Sequence, residues 1–168
     1  IFQSYNRQRE LGLAGVENGK LSDLSNFPKC VVVEDIEFDW QGDKPLNLPL
    51  SKSVIYETHL KGFTASPTSG VQFPGTYKGF IEKIPYLKEL GITAVELMPI
   101  FEFDEMGAHR NFEGQQLYDY WGYNTVGFFA PNTSYESVHG HKHHREGTEL
   151  KELIRDLKSN GIEIILLF

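Results

Sequence analysis

Little in this sequence belongs to the chemistries most easily recognised from composition. One cysteine, Cys30, stands in 168 residues, which excludes an internal disulfide and fits a reducing compartment. Basic residues are outnumbered, 16 Lys and Arg against 23 Asp and Glu. The resulting net charge of −7 argues against a nucleic-acid partner, because phosphate binding needs a basic surface. No apolar run approaches the roughly 18 residues of a membrane helix, so no membrane partner is expected. The opening IFQSYNRQRELG has no signal-peptide pattern and no initiator Met, and reads as the interior of a longer protein. No Gly-rich phosphate loop occurs: GTYKG at Gly75–Gly79 matches neither the P-loop nor the dinucleotide fingerprint. No serine sits in a nucleophile elbow. What remains is an ordinary globular composition, 40% hydrophobic and 13% aromatic, enough for one core.

The chain changes character near residue 54. Residues 1–53 read as an irregular lead-in with one short strand in CVVVEDIEF (Cys30–Phe38), followed by an extended, proline-bearing stretch, Asp39–Leu50. Parallel strands are expected near 54–61, 92–98 and 162–168, the first running to Gly62. GFIEKIPYLKELG (Gly79–Gly91) has apolar residues at helical spacing, and Pro85 kinks or restarts that helix. Glu146–Gly161 is the clearest helix, with a stripe of Leu150, Leu153, Ile154 and Leu157 and Thr148 as its N-cap. LKELGITAVEL and LKSNGIEIILL align without gaps, each a helix end, a glycine and an apolar strand. Such joints fit a parallel sheet with helical crossovers lying on one side. They do not decide between a barrel and an open sheet. The chain stops at Phe168 inside its most apolar strand, which leaves an apolar edge uncovered and reads as a fragment able to self-associate.

Four features carry candidate chemistry. Alternation along a strand puts Glu57 and His59 on one face, and Glu96 and Met98 on another. Glu57 and Glu96 are a glycosidase acid and nucleophile or structural carboxylates of a sheet wall. YDYWGYNTVGFFAP (Tyr118–Pro131) gathers aromatic rings in a long loop, either a sugar-stacking platform or a satellite hydrophobic cluster. HGHKHH (His139–His144) lacks an acidic or cysteine partner at metal spacing and reads as a solvated loop rather than a metal site. Glu102, Asp104 and Glu105 offer hard oxygens for calcium or form an ordinary exposed acidic loop.

Taken together and in order, VIYETHLKGFT, PGTYKGFIEKIPYLKELGITAVELMPIFEF, YWGYNTVGFFAPNTSY and REGTELKELIRDLKSNGIEIIL resemble the isoamylase and glycogen-debranching branch of the α-amylase superfamily. The resemblance runs over about residues 54–166. It implies an α/β fold, part of a (β/α)₈ TIM barrel with about three strands and two helices, over 54–168, with residues 1–53 leading in from an N-terminal module. It implies retaining hydrolysis of α-1,6 branch linkages in glycogen-like glucans, by an Asp nucleophile and a Glu acid/base on later strands. No residue here matches either, so no catalytic residue is assigned and the chain alone is expected to be inactive. Tyr123, in Trp121-Gly122-Tyr123, matches the tyrosine lining the subsite of the sugar whose bond is cleaved, and Trp121 accompanies it in substrate binding. No cofactor is required. Calcium is held near Glu102–Glu105 in some relatives, but Asn132 stands where they supply an Asp, which weighs against it. Leu167 stands where the family expects an Asp before an aromatic-Asn-His stretch. The partner implied is an α-glucan, and the compartment the cytoplasm, or the plastid for a plant or alga. A pullulanase, a glucan branching enzyme, a non-catalytic glucan-binding piece and a product of an incomplete gene are the alternatives.

Overall fold

A computed structural model describes residues 37–105, 109–138 and 147–167, and the backbone of 2–4, 16–17, 20–21 and 30–32. Its strands are β1 (Phe2–Ser4), β2 (Val16–Glu17), β3 (Lys20–Leu21), β4 (Cys30–Val32), β5 (Ile55–Thr58), β6 (Ala94–Leu97), β7 (Phe101–Phe103), β8 (Arg110–Phe112), β9 (Gln115–Leu117), β10 (Thr125–Pro131) and β11 (Glu163–Leu166). Its α-helices are α1 (Leu60–Thr64), α2 (Tyr77–Ile81), α3 (Ile84–Glu89) and α4 (Thr148–Ser159).

The centre is a three-stranded parallel sheet in the order β11-β6-β5. All three expected strands are present, in parallel, though each is shorter than its apolar run. The register aligns Tyr56 with Val95 and Ile164, and Glu57 with Glu96 and Ile165. Alternation then gives the sheet two unlike faces. Val95 and Leu97 on one face are fully buried beneath Phe80, Ile84 and Leu87 of α2 and α3 and Leu150, Leu153 and Leu157 of α4. Each such side chain contributes about 1.5–3 kcal/mol on burial. The other face carries Ile55, Glu57, Glu96, Glu163 and Ile165.

The internal repeat is one device used twice. Gly91 and Gly161 both sit in the left-handed region, at φ 81° and 77°. Ile92 N–H donates to Leu87 O, and Ile162 N–H to Leu157 O, each at 3.0 Å. Gly91 N–H and Gly161 N–H reach Lys88 O and Lys158 O at 3.0 and 2.9 Å. These are Schellman stops, in which the residue after the glycine turns inward over the last helical turn. Ile92 and Ile162 accordingly enter the core beside Leu87 and Leu157 and aim the chain into β6 and β11.

Several expectations need correction. The first strand does not run to Gly62: it ends at Thr58, and His59 caps a short helix. His59 therefore does not continue the Glu57 face. The helix expected over Gly79–Gly91 is two, α2 and α3, with Pro85 in the first turn of the second, where its missing N–H costs nothing. Thr148 is the first helical residue of α4; the cap is Gly147, at φ 80°, whose N–H donates to the buried Glu136 carboxylate at 2.5 Å. The segment after β6 is not a plain loop. β7 pairs antiparallel with β10, and β8 with β9. At the front, β1 pairs antiparallel with β4, and β2 with β3.

Candidate functional site

At the C-terminal end of β5 the chain turns sharply at His59, and the aromatic loop between β9 and β10 comes to meet it. Gly62 N–H donates to His59 Nδ1 at 3.0 Å, capping α1. Since Nδ1 accepts, the ring proton is on Nε2, which donates to Tyr120 O at 2.6 Å. The imidazole also stacks on the Tyr120 ring, 4.1 Å between centroids and 10° from parallel. Burial, and secondarily the Lys61 charge, hold His59 below its ordinary pKa of 6.5, against the opposing pull of its bond to Tyr120 O. Neutral His59 is thus the form the geometry uses.

Two glycines admit the loop. A Cβ on Gly62 would lie 2.3 Å from the Tyr120 hydroxyl, so the tyrosine lies across α1 only because that residue has no side chain. Gly122 is at φ 80°, and a Cβ there would press on the Phe103 ring and Pro99 O at 3.2 Å. Asp119 Oδ1 accepts from Trp121 N–H at 3.1 Å and Gly122 N–H at 3.4 Å, closing the turn between them. With one face of Tyr120 laid against His59, Trp121 and Tyr123 project outward, 55% and 57% exposed. Tyr118, Phe128 and Phe129 are exposed too, so the rings are not a buried satellite cluster.

The loop is wired to the core by ring contacts. Tyr135 meets His59 edge-on at 6.1 Å, and Tyr77 meets Tyr135 edge-on at 6.1 Å. Tyr77 is fully buried, and that burial, with Tyr135, Glu136, Glu102 and Glu149 nearby, pushes its hydroxyl pKa well up. It stays a neutral donor toward Asn132 O at 3.4 Å and Ile100 O at 3.5 Å. The ladder Tyr77–Tyr135–His59–Tyr120–Trp121 runs from interior to surface, each contact contributing about 0.5–1.5 kcal/mol beyond area burial.

The other candidates fall elsewhere. Glu57 and Glu96 are brought side by side in register on the sheet face away from the helices, Glu57 exposed and Glu96 half-buried. The run from Glu102 to Glu105 is not an exposed acidic loop. Glu102 lies in β7, and both it and Glu105 are buried, because pairing with β10 draws the segment inward. These residues do not fit a calcium cage. Asn132 Oδ1 is turned back onto Ser134 N–H at 2.9 Å, and its other end is a buried N–H₂ donor, which cannot ligate a cation. Among the described residues no three His, Cys, Asp or Glu side chains converge as metal ligands. The run His139–His144 lies outside the described residues. Sequence reasoning missed His59, Gly62 and Tyr120 as a unit. The signal was His-Leu-Lys-Gly, a capping side chain three residues before the N–H it caps.

The alpha-amylase catalytic-domain profile matches residues 50–168. Isoamylase 1, chloroplastic, of Arabidopsis thaliana is 43% identical over 141 residues, which is 82% of this chain and 18% of that protein. Isoamylase 1, chloroplastic, of Oryza sativa subsp. japonica is 45% identical over 130 residues, 77% of this chain and 16% of that one. Among solved structures, pullulanase type I from Bacillus subtilis, complexed with maltose, superposes with a TM-score of 0.59 at 31% identity, over 82% of this chain and 20% of its own. The chain thus spans about a fifth of the length of the proteins it matches.

Proposed function

The chain belongs to the alpha-amylase catalytic-domain family, and on that premise we propose that residues 54–168 form the first strands and substrate-facing rim of a (β/α)₈ debranching glycoside hydrolase. The reaction is retaining hydrolysis of α-1,6 branch linkages in glycogen-like α-glucans. Identity of 43–45% to two isoamylases, against 31% to a pullulanase, favours the isoamylase over the pullulanase reading. The chloroplastic designation of both isoamylases supports the plastid as the compartment.

The observation that carries the reading is the outward pair Trp121 and Tyr123 on a loop locked at the C-terminal end of a parallel strand. Barrels of this type bind ligand at that end. A planar ring there stacks on a sugar face, and beside the scissile bond it would shield a developing oxocarbenium ion. The catalytic carboxylates belong to later strands. Glu57 and Glu96, at positions the family does not use for catalysis, serve as wall residues.

The test is affinity electrophoresis through glycogen, with a reducing-end assay alongside. The chain should be retarded and should release no reducing ends. Tyr123→Ala should weaken retardation about tenfold, and Tyr118→Ala, at a comparably exposed ring, far less. Equal behaviour of the two variants would remove Tyr123 from the site. Turnover that vanishes in Glu57→Gln or Glu96→Gln would overturn the assignment of catalysis to other strands.

A further inference from the structure

We infer that His59 is a positioning residue for glucan binding: it touches no sugar, but through Tyr120 it fixes the loop that presents Trp121 and Tyr123. The inference rests on the glucan-binding reading of that loop. Three observations carry it. One imidazole is used on both edges and one face: Nδ1 accepts from Gly62 N–H at 3.0 Å, Nε2 donates to Tyr120 O at 2.6 Å, and the face stacks on Tyr120 at 4.1 Å. The opposing wall has no side chain, since a Cβ on Gly62 would fall 2.3 Å from the Tyr120 hydroxyl. Beyond Tyr120 the backbone enters the Asp119 turn, which fixes Trp121 and Gly122. His59 is buried at 8% exposure while Trp121 and Tyr123 are more than half exposed, so His59 is closed to a ligand and the two rings it helps to place are open to one.

His59 has two duties, a local one to α1 and a distant one to the loop, and they can be separated. Asn is a good helix cap and can accept from Gly62 N–H, but it has neither the ring nor the reach to Tyr120 O. His59→Asn therefore keeps the start of α1 and releases the loop. Tyr120→Leu removes the stacked ring without touching the cap, and keeps the backbone carbonyl that Nε2 reaches.

The experiment uses the 168-residue chain carrying Trp40→Phe, which leaves Trp121 as its single tryptophan. Two quantities are read: acrylamide quenching of Trp121 without ligand, and the dissociation constant for maltohexaose. His59→Asn should raise quenching and weaken maltohexaose about fivefold, and Tyr120→Leu, which loses only the stacking, should do both to a smaller extent. The double variant should be no worse than His59→Asn alone, because that substitution already removes both the stacking and the hydrogen bond. Unchanged quenching in His59→Asn, or effects that multiply in the double variant, would overturn the inference. Should His59→Asn lose its fold, Tyr120→Leu alone decides, by the same two readouts. Failure of the parent chain to bind maltohexaose sinks the glucan reading, and quenching then decides whether His59 holds the loop. Normal binding by His59→Asn with loss in Tyr123→Ala sinks only the positioning role.

Discussion

His59 shows how much one side chain can be asked to do when both ring nitrogens are committed. A proton added to Nδ1 would meet Gly62 N–H donor to donor, so protonation opposes the native geometry. The charged and titratable groups around it are Lys61, Tyr120 and Tyr135, with Trp121 at the ring edge; none is an anion that would favour imidazolium. The native pKa lies below the unfolded value of about 6.5. Above about pH 6.5 both states are neutral and the contribution to stability is complete. As pH falls from there, the unfolded chain takes up the proton first, and stability is lost until the native pKa is passed. The unfolding midpoint of the chain should therefore fall on acidification from pH 6.5, and His59→Asn should flatten that part of the profile. A parallel fall in the variant would assign the pH dependence to other groups.

Among the helices and strands, the glycines separate two kinds of constraint. A Cβ on Gly79 in α2 would stand 2.0 Å from the carbonyl oxygen of Phe73, where backbone must move. Gly91, at φ 81°, has open space around it and constrains only the backbone angle. Gly79→Ala should thus cost about 3 kcal/mol, at the upper end for overpacking, and Gly91→Ala only about 1 kcal/mol. Urea unfolding of the two variants checks the order, and equal losses would refute it. The same contrast explains what could be read from the residues alone. The stop at Gly91 was legible, because a glycine after an apolar-periodic run followed by an apolar strand has one common structural meaning. The role of Gly79 was not, because it depends on Phe73 reaching over from a neighbouring loop. The strands β6 and β11 and the helix α4 were visible in their periodicity. The β7–β10 pairing was not, because FEF and TVGFFAP lie far apart in the chain and their register is irregular. Trp121 and Tyr123 are proposed as sugar-facing rings from the family resemblance, and the structure adds that both are exposed. Nothing in the sequence tied Tyr120 to His59, a contact 61 residues apart.

For the molecule as a whole, the sheet is lopsided. Its helix-covered face is closed, while Ile55 and Ile165 on the other face are 45% and 37% exposed. Among the described residues β5 and β11 each pair on one side only. An unpaired strand edge beside uncovered apolar side chains is a template for another strand. The chain should sediment as concentration-dependent oligomers, and Ile165→Lys should shift it toward monomer. A single sharp monomeric species at all concentrations would contradict this.

The strand order has a consequence in time. β5 and β6 are joined by a compact crossover, and their pairing can form soon after residue 97 leaves the ribosome. β11, which completes the other side of β6, arrives only after residues 98–162 have been made. At roughly 5–20 residues per second, one flank of the central strand stays unpaired for several seconds of synthesis. During that interval the nearest newly made strands are β7 to β10, and these pair among themselves, two by two. The inserted segment therefore gives each of its strands a partner of its own on one edge while the flank of β6 waits for its true neighbour.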